Sequence, residues 1–117
     1  MIKLPENALI YLAVQPVTMR KSFDGLAVLV QEVLKQNPLS SHLFVFRNKA
    51  ADKIKLMWWD RDGLAIYYKR LERGRFKFPK MNSKSVVITQ EELSLLLDGI
   101  DFTKLKRLPA LHYQAVV

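Results

Sequence analysis

The sequence predicts an α+β protein in which a curled antiparallel β-sheet, a meander of about five to six strands, carries two helices on one of its faces. Between residues 43 and 79, apolar and alternating segments follow one another with short polar links. Two other segments repeat apolar residues at helical spacing. The length of 117 residues, half of them hydrophobic, suits one domain. We expect a single domain, 1–117, with its core in 8–100 and a partly flexible tail at 101–117.

The first strand and the first helix are predicted before residue 40. Residues 8–14 are rich in Ile, Tyr, Leu and Val and lie between two prolines, which indicates a strand. The helix is predicted to start after Ser22, a favourable N-cap residue. It should end near Asn37, because Pro38 disfavours the helical conformation in the residue before it. Apolar residues three and four positions apart form its buried face: Phe23, Leu26, Ala27, Val30, Val33 and Leu34.

Four further strands are predicted at 43–46, 54–59, 64–69 and 75–78. The turn at 60–63 begins with Asp60, and Gly63 is expected to take the left-handed conformation at its end. Alternation predicts two sets of side chains in the second and third of these strands. The inward set is Ile54, Leu56, Trp58, Leu64, Ile66 and Tyr68, and the outward set is Lys53, Lys55, Trp59, Tyr67 and Lys69.

The last predicted elements are a brief strand at 86–88 and a second helix. The helix should open with a capping box, because Thr89 is followed three residues later by Glu92. Gly99 is a natural residue to end it.

The charge of the chain is concentrated in its middle third. The formal net charge is +8 and the pI is about 9.9. Between residues 42 and 80 eleven Lys and Arg stand against four acids, which gives +7 of that total. Such a balance favours a polyanionic partner, with nucleic acid first and an anionic membrane surface second. The alternative is a protein that is basic without a dedicated partner.

The sequence offers little for catalysis. Without cysteine there are no disulfides, thiolate metal sites or Cys nucleophiles. His42 and His112 lack neighbours at metal-ligand spacing, so structural or solvent-facing roles are expected. Four acids could in principle bind Mg²⁺ for phosphodiester cleavage: Asp52, Asp60, Asp62 and Glu72. Turns favour Asp on backbone grounds alone, however, so we expect no metal, no cofactor, no small-molecule substrate and no enzymatic activity. No apolar stretch is long enough to span a membrane, and a cytoplasmic location is expected.

Four blocks of the sequence carry a resemblance to a known family. They are residues 19–26 (MRKSFDGL), 43–48 (LFVFRN), 52–63 (DKIKLMWWDRDG) and 69–76 (KRLERGRF). The order and spacing of these blocks resemble those of a family of small accessory proteins, often called TnpB. These proteins are encoded by the second open reading frame of bacterial insertion sequence sixty-six (IS66) elements. The resemblance implies an auxiliary factor for DNA transposition, encoded beside a larger transposase that carries the catalytic acids. It supplies no established catalytic residue that could be carried over to this chain.

Two functions remain open at this stage. In the first, the protein binds DNA, either element ends or target, through phosphate contacts from basic side chains of the sheet. The candidates are Arg47, Lys53, Lys55, Arg61, Lys69, Arg70, Arg73 and Arg75, together with Arg20 and Lys21 beside the start of the first helix. In the second, it docks on the element's transposase through aromatic anchors, for which Trp59 and Tyr67 are the candidates.

Overall fold

The computed structural model describes residues 4–104 and the backbone of residues 114 and 115. In this part of the chain six strands and two α-helices form. The strands are β1 (Ile10–Ala13), β2 (Leu43–Arg47), β3 (Lys53–Asp60), β4 (Gly63–Arg70), β5 (Ser85–Ile88) and β6 (Gln114–Ala115). The helices are α1 (Phe23–Glu32) and α2 (Gln90–Leu97), and a short 3-10 helix follows at Phe102–Lys104.

The strands form one mixed sheet in the order β4-β3-β2-β1-β5-β6, which confirms the α+β class. The consecutive strands β2, β3 and β4 pair antiparallel, as the predicted meander requires. The prediction that the whole sheet is antiparallel is wrong, however, because β1 and β2 are parallel. The connection between them contains α1, and parallel neighbours need such a long crossover.

The two helices cover opposite faces of the sheet, so the prediction that both pack on one face is wrong. Leu26 and Val30 of α1 pack with Phe44 and Met57 on one face. The helix α2 and Phe102 pack on the other face, against a core that includes Leu12, Val45 and Leu56. Strands β1 and β2 are buried along nearly their whole length, as strands covered on both sides are.

The predicted strand at 75–78 is wrong, because this segment runs as a loop across the α2 face. Phe76 is fully buried and Phe78 is half-buried, so the alternation in the sequence reflects packing and not strand pairing. Two backbone bonds fix the loop: the N–H of Leu71 donates to the carbonyl of Asp52 (2.8 Å), and that of Phe76 to the carbonyl of Ala51 (2.7 Å).

Two details of the predicted local structure also differ. Helix α1 has Ser22 at the N-cap position, although its side chain makes no capping hydrogen bond, and it ends at Glu32, well before Asn37. In the β3–β4 turn Arg61, not Gly63, adopts the left-handed conformation, with φ of 58°. Because Asp60 pairs with Gly63, the hairpin loop contains only Arg61 and Asp62. A two-residue loop needs a positive φ within the loop itself, and Arg61 supplies it.

The capping box of α2 is confirmed. The Thr89 hydroxyl accepts from the backbone N–H of Glu92 (3.1 Å), and the Glu92 carboxylate accepts from that of Thr89 (2.9 Å). We expect Thr89→Ala to lower the free energy of unfolding by about 1 kcal/mol, because it leaves a helix N–H without its partner. Ser94→Ala is the control in the same helix, exposed, with an expected change within about 0.5 kcal/mol. Urea titration measures both, and an equal loss in the two variants would contradict the role of the cap.

The described residues contain no helix long and apolar enough to cross a membrane. Most of the predicted tail, 101–117, lies outside the described residues, and so does His112. At the start of that segment Phe102 is fully buried in the α2-side core.

Candidate nucleic-acid interface

The strand directions bring most of the cations to one end of the sheet. The carboxyl ends of β1, β2 and β4 meet the amino ends of β3 and β5 there. We call residues 14–21, 47–53 and 69–84 the basic end. It holds only two acids, Asp52 and Glu72. Its twelve cations are Arg20, Lys21, Arg47, Lys49, Lys53, Lys69, Arg70, Arg73, Arg75, Lys77, Lys80 and Lys84.

Two surface grooves cross the basic end. The first has a volume of about 810 Å³, and its cations are Arg20, Lys49 and Lys53. The second has a volume of about 570 Å³. Its cations are Arg47, Lys49, Arg75, Lys77 and Lys80, with one acid, Asp101. Since Lys49 lines both grooves, they form one continuous basic surface.

The loop between the grooves is held in a fixed shape by Asn48. Its amide oxygen accepts from the backbone N–H of Lys53 (3.0 Å), and its amide nitrogen donates to the Asp52 carboxylate (2.7 Å). The hydrogen bond from Asn48 is the main reason that the pKa of Asp52 lies below its usual range. Ala51 takes a left-handed conformation, with φ of 59°, and closes the turn. The loop therefore presents the exposed side chain of Lys49 between the two grooves.

Three of the predicted DNA-binding residues are directed to carbonyl groups of the protein itself. The ammonium of Lys55 is buried and donates to the carbonyls of Met19 and Lys21, at 2.8 Å each. Lys69 donates to the carbonyl of Leu97 (2.8 Å). We therefore remove Lys55 and Lys69 from the candidate surface, since their ammonium groups are held against carbonyls of the protein itself. The alternation of the strands predicts that both side chains point to solvent. It carries no information about distant segments of the chain, which cover both faces of the sheet.

Arg47 is the third of these residues. Its guanidinium donates to the carbonyl of Val14 (2.9 Å) and lies 5.5 Å from the centre of the Phe78 ring. Burial lowers the pKa of Arg47. This side chain borders the second groove but is held by the fold, so it supports the surface more than it reaches beyond it.

The other predicted cations lie at the basic end, with the exception of Arg61. Arg20, Arg70, Arg73 and Arg75 are exposed at the basic end, and Lys21 and Lys53 are half-buried there. Arg70 also pairs with Glu72 at 2.8 Å. Arg61 lies in the β3–β4 turn, at the opposite end of the sheet, between Asp60 and Asp62, so it does not join the others.

The site prediction did not include Lys49, Lys77 and Lys80, although they contribute to the charge of the middle third. Lys49 and Lys80 belong to loops, about which strand alternation says nothing, and Lys77 belongs to the segment 75–78 that was wrongly predicted as a strand. A signal for these lysines was nevertheless present in the order of the strands. The loop with Lys49 follows β2 and the loop with Lys77 and Lys80 follows β4, and the carboxyl ends of β2 and β4 lie at the same end of the sheet.

The two predicted aromatic anchors lie on opposite faces of the sheet. Trp59 pairs with Leu64, whose side chain packs on the α1 face. Tyr67 pairs with Leu56, whose side chain belongs to the α2-side core. The predicted inward and outward sets are therefore mixed: Leu64, Ile66 and Tyr68 share a face with Lys55 and Trp59, because cross-strand partners lie on the same face.

In the part of the chain that the structure describes, His42 and the acids do not converge on a reaction centre. His42 accepts at Nδ1 from the backbone N–H of Leu9 (2.9 Å) and meets the ring of Tyr11 edge-on, so its expected structural role is confirmed. Asp60 and Asp62 are at the end of the sheet opposite to Asp52 and Glu72. Among the described residues no group of three His, Asp or Glu is close enough to hold a metal ion. The absence of enzymatic activity stays a prediction.

The fold and the charge distribution define a small α+β protein with a single sheet and one strongly basic end. The family described as IS66 Orf2 like protein matches residues 8–107, and the chain belongs to this family. Its role is therefore that of an accessory protein associated with transposition of IS66 insertion sequences, as the resemblance in the sequence implied.

Two relatives come from Sinorhizobium fredii (strain NBRC 101917 / NGR234). The chain is similar to "Uncharacterized protein y4hO", with 41% identity over 102 residues, which cover 87% of this chain and 89% of the relative. It is also similar to "Uncharacterized protein y4jC", with 39% identity over 100 residues and 86% of each chain covered. No solved structure matches the chain.

Proposed function

We propose that this accessory protein binds duplex DNA through phosphate contacts from its basic end, and that it does so without catalysing a reaction. The observation that carries the proposal is the gathering of cations at one end of the sheet. Of its twelve cations, ten remain besides Arg47 and Lys69, which are held by carbonyls, and the acids there are Asp52 and Glu72, with Asp101 in the second groove. Local positive charge of this density attracts a polyanion and favours release of the counterions bound to DNA.

The cations that line the grooves are the proposed phosphate ligands: Arg20, Lys49, Lys53, Arg75, Lys77 and Lys80. The molecule measures 38 × 32 × 29 Å. An end about 30 Å wide covers roughly nine base pairs of duplex at 3.4 Å per base pair. Six contacts over that length are geometrically reasonable, since each strand offers one phosphate per step.

The aromatic residues of the basic end favour duplex over single-stranded DNA. Stacking of unpaired bases needs exposed aromatic faces beside the cations. Phe76 is buried in the core, and the Phe78 ring has Arg47 over it. The exposed Tyr68 borders the basic end beside Lys53 and Arg70, and its ring already has the Lys55 ammonium over it. Phosphate contacts therefore carry the interaction, which makes it largely independent of sequence.

Salt dependence tests the proposal. We expect a labelled duplex of mixed sequence to bind at low salt, and the logarithm of the association constant to fall with the logarithm of salt concentration with a slope of about −5 for six contacts. Fluorescence anisotropy over a salt series measures the slope. No complex at low salt, or an affinity that does not change with salt, would overturn the proposal.

Docking on the transposase is the second candidate function. Its two predicted anchors, Trp59 and Tyr67, lie on different faces, so one flat partner surface does not contact both. Co-purification with the transposase after nuclease treatment separates the candidates. A complex that survives the nuclease favours direct docking, and one that disappears favours a DNA bridge.

A further inference from the structure

Among the described residues no strand pairs with the outer side of β4, which is therefore an open edge of the sheet. It is the terminal strand on its side, and its eight residues pair with β3 from Lys53↔Arg70 to Asp60↔Gly63 without a bulge. The two-residue turn makes Asp60 and Gly63 a hydrogen-bonded pair, and such pairs alternate along an antiparallel ladder. The backbone groups of Leu64, Ile66, Tyr68 and Arg70 therefore point away from β3, toward the outer side of the strand.

This edge lacks most of the devices that protect edge strands. It contains no proline, it is regular, and it is eight residues long. The tyrosines are exposed at its centre, 37% for Tyr67 and 51% for Tyr68. Of its two cations, Lys69 is turned toward the carbonyl of Leu97, and Arg70, whose Nε pairs with Glu72, is exposed at one end of the strand. An edge of this kind is a template for pairing with another strand.

We propose that β4 pairs antiparallel with β4 of a second copy of this chain, in the register that sets Ile66 opposite the partner's Ile66. In this register Leu64 faces the partner's Tyr68, and Ala65 faces the partner's Tyr67. Aliphatic and aromatic residues are favourable cross-strand neighbours. Asp62 faces the partner's Arg70, and by symmetry this ion pair forms twice.

The neighbouring registers are less favourable. A shift by two residues in one direction places Asp62 opposite the partner's Glu72, which sets like charges against each other at both ends. A shift in the other direction leaves Arg70 opposite the position of the partner's Asp60. Asp60 belongs to β3 and not to the edge strand, so Arg70 has no cross-strand partner in this register. A shift by one residue is excluded because the outward backbone groups would then meet groups that point inward. Self-complementarity thus selects one register.

The dimer would hold its two basic ends apart. Because antiparallel pairing reverses the strand direction, the basic end of one copy lies beside the β3–β4 turn of the other. Each basic end then remains free for its own duplex, so the dimer would bridge two segments of DNA. This consequence rests on the proposed DNA contact, whereas the dimer itself does not.

Charge reversal tests the dimer and its register in the absence of DNA. Sedimentation over a concentration series should give a dimer for the native chain. Asp62→Arg and Arg70→Asp should each raise the dissociation constant about tenfold, because each creates like-charge pairs at both ends. The double variant should restore the dimer. A native chain that stays monomeric, or a double variant no better than the single ones, overturns the proposal.

Cross-linking gives a second test, which is clean because the chain has no cysteine. In the proposed register Ile66→Cys faces itself at a Cα separation of about 5.5 Å, which a disulfide can span. Tyr68→Cys is the matched control on the same edge and face, and it faces the partner's Leu64 instead. Oxidation should link the first variant and not the second. The reverse result overturns the register.

Bridging is measured separately, by capture of a labelled duplex on beads that carry a second duplex and the protein. Tyr68→Pro removes an outward N–H but no bond to β3, and edge strands tolerate proline at such a position. Circular dichroism checks that this variant is folded. We expect it to bind one duplex without capturing the second, while the native chain captures both. A native dimer that binds DNA and never captures a second duplex overturns bridging and leaves the dimer intact.

Discussion

Reversing two charges at the basic end should lower DNA affinity about a hundredfold. The variant is Lys49→Glu with Lys53→Glu, because Lys49 lines both grooves and Lys53 lines the first. Each change removes a phosphate contact and adds a repulsive charge. The slope of the logarithm of the association constant against that of salt concentration should become shallower by about 2, since each lost contact releases about one counterion fewer. Anisotropy titrations at several salt concentrations measure both quantities.

A matched variant separates local from overall charge. Lys35→Glu with Arg61→Glu changes the net charge by the same amount, but Lys35 follows α1 and Arg61 lies in the β3–β4 turn, both away from the basic end. We expect its affinity to stay within about threefold of the native value, because charges beyond the Debye length, about 10 Å at 0.1 M salt, are largely screened. Equal losses in the two variants would show that net charge alone attracts the DNA. No loss in either would remove the basic end from the function.

The sequence predicts β2, β3, β4 and β5 well because their signals are local, whereas the strand predicted at 75–78 does not form. Tyr67, Lys55 and Thr89 illustrate three degrees of success. The capping box at Thr89 involves residues three positions apart, so its pattern is complete within the sequence. Tyr67 was correctly expected to be exposed, but which face it occupies depends on hairpin register, and a two-residue turn fixes that register.

Lys55 shows where sequence reasoning fails. Its strand alternates as a half-exposed strand does, but α1 and the loop before it return over this face from a distant part of the sequence. Alternation describes two faces and cannot say that both are covered. For the same reason the basic surface was predicted on a face of the sheet, whereas the topology gathers its cations at one end.

Replacement of Lys55 by Met should lower the free energy of unfolding by about 2 kcal/mol. The ammonium makes two hydrogen bonds of 2.8 Å to the carbonyls of Met19 and Lys21, and charge-assisted bonds of this kind contribute about 1.5–3 kcal/mol each. Met has a similar length but no donor, so both carbonyls lose their partner. The desolvation cost of a buried ammonium disappears at the same time and offsets part of the loss. The Tyr68 ring, 4.7 Å from the nitrogen, also loses its cation.

The control is Lys53→Met, two positions along the same strand and on the same face. The Lys53 side chain is half-buried at the first groove, and no carbonyl of the described residues accepts from its ammonium. Urea unfolding should therefore show a change within about 0.5 kcal/mol for Lys53→Met. DNA binding should show the opposite order, because Lys53 is a proposed phosphate ligand and Lys55 is not. For Lys53→Met the slope of the logarithm of the association constant against that of salt concentration should become shallower by about 1. If Lys55→Met is as stable as the native chain, the segment that presents Arg20 is held by other contacts, and Lys55 is not its anchor.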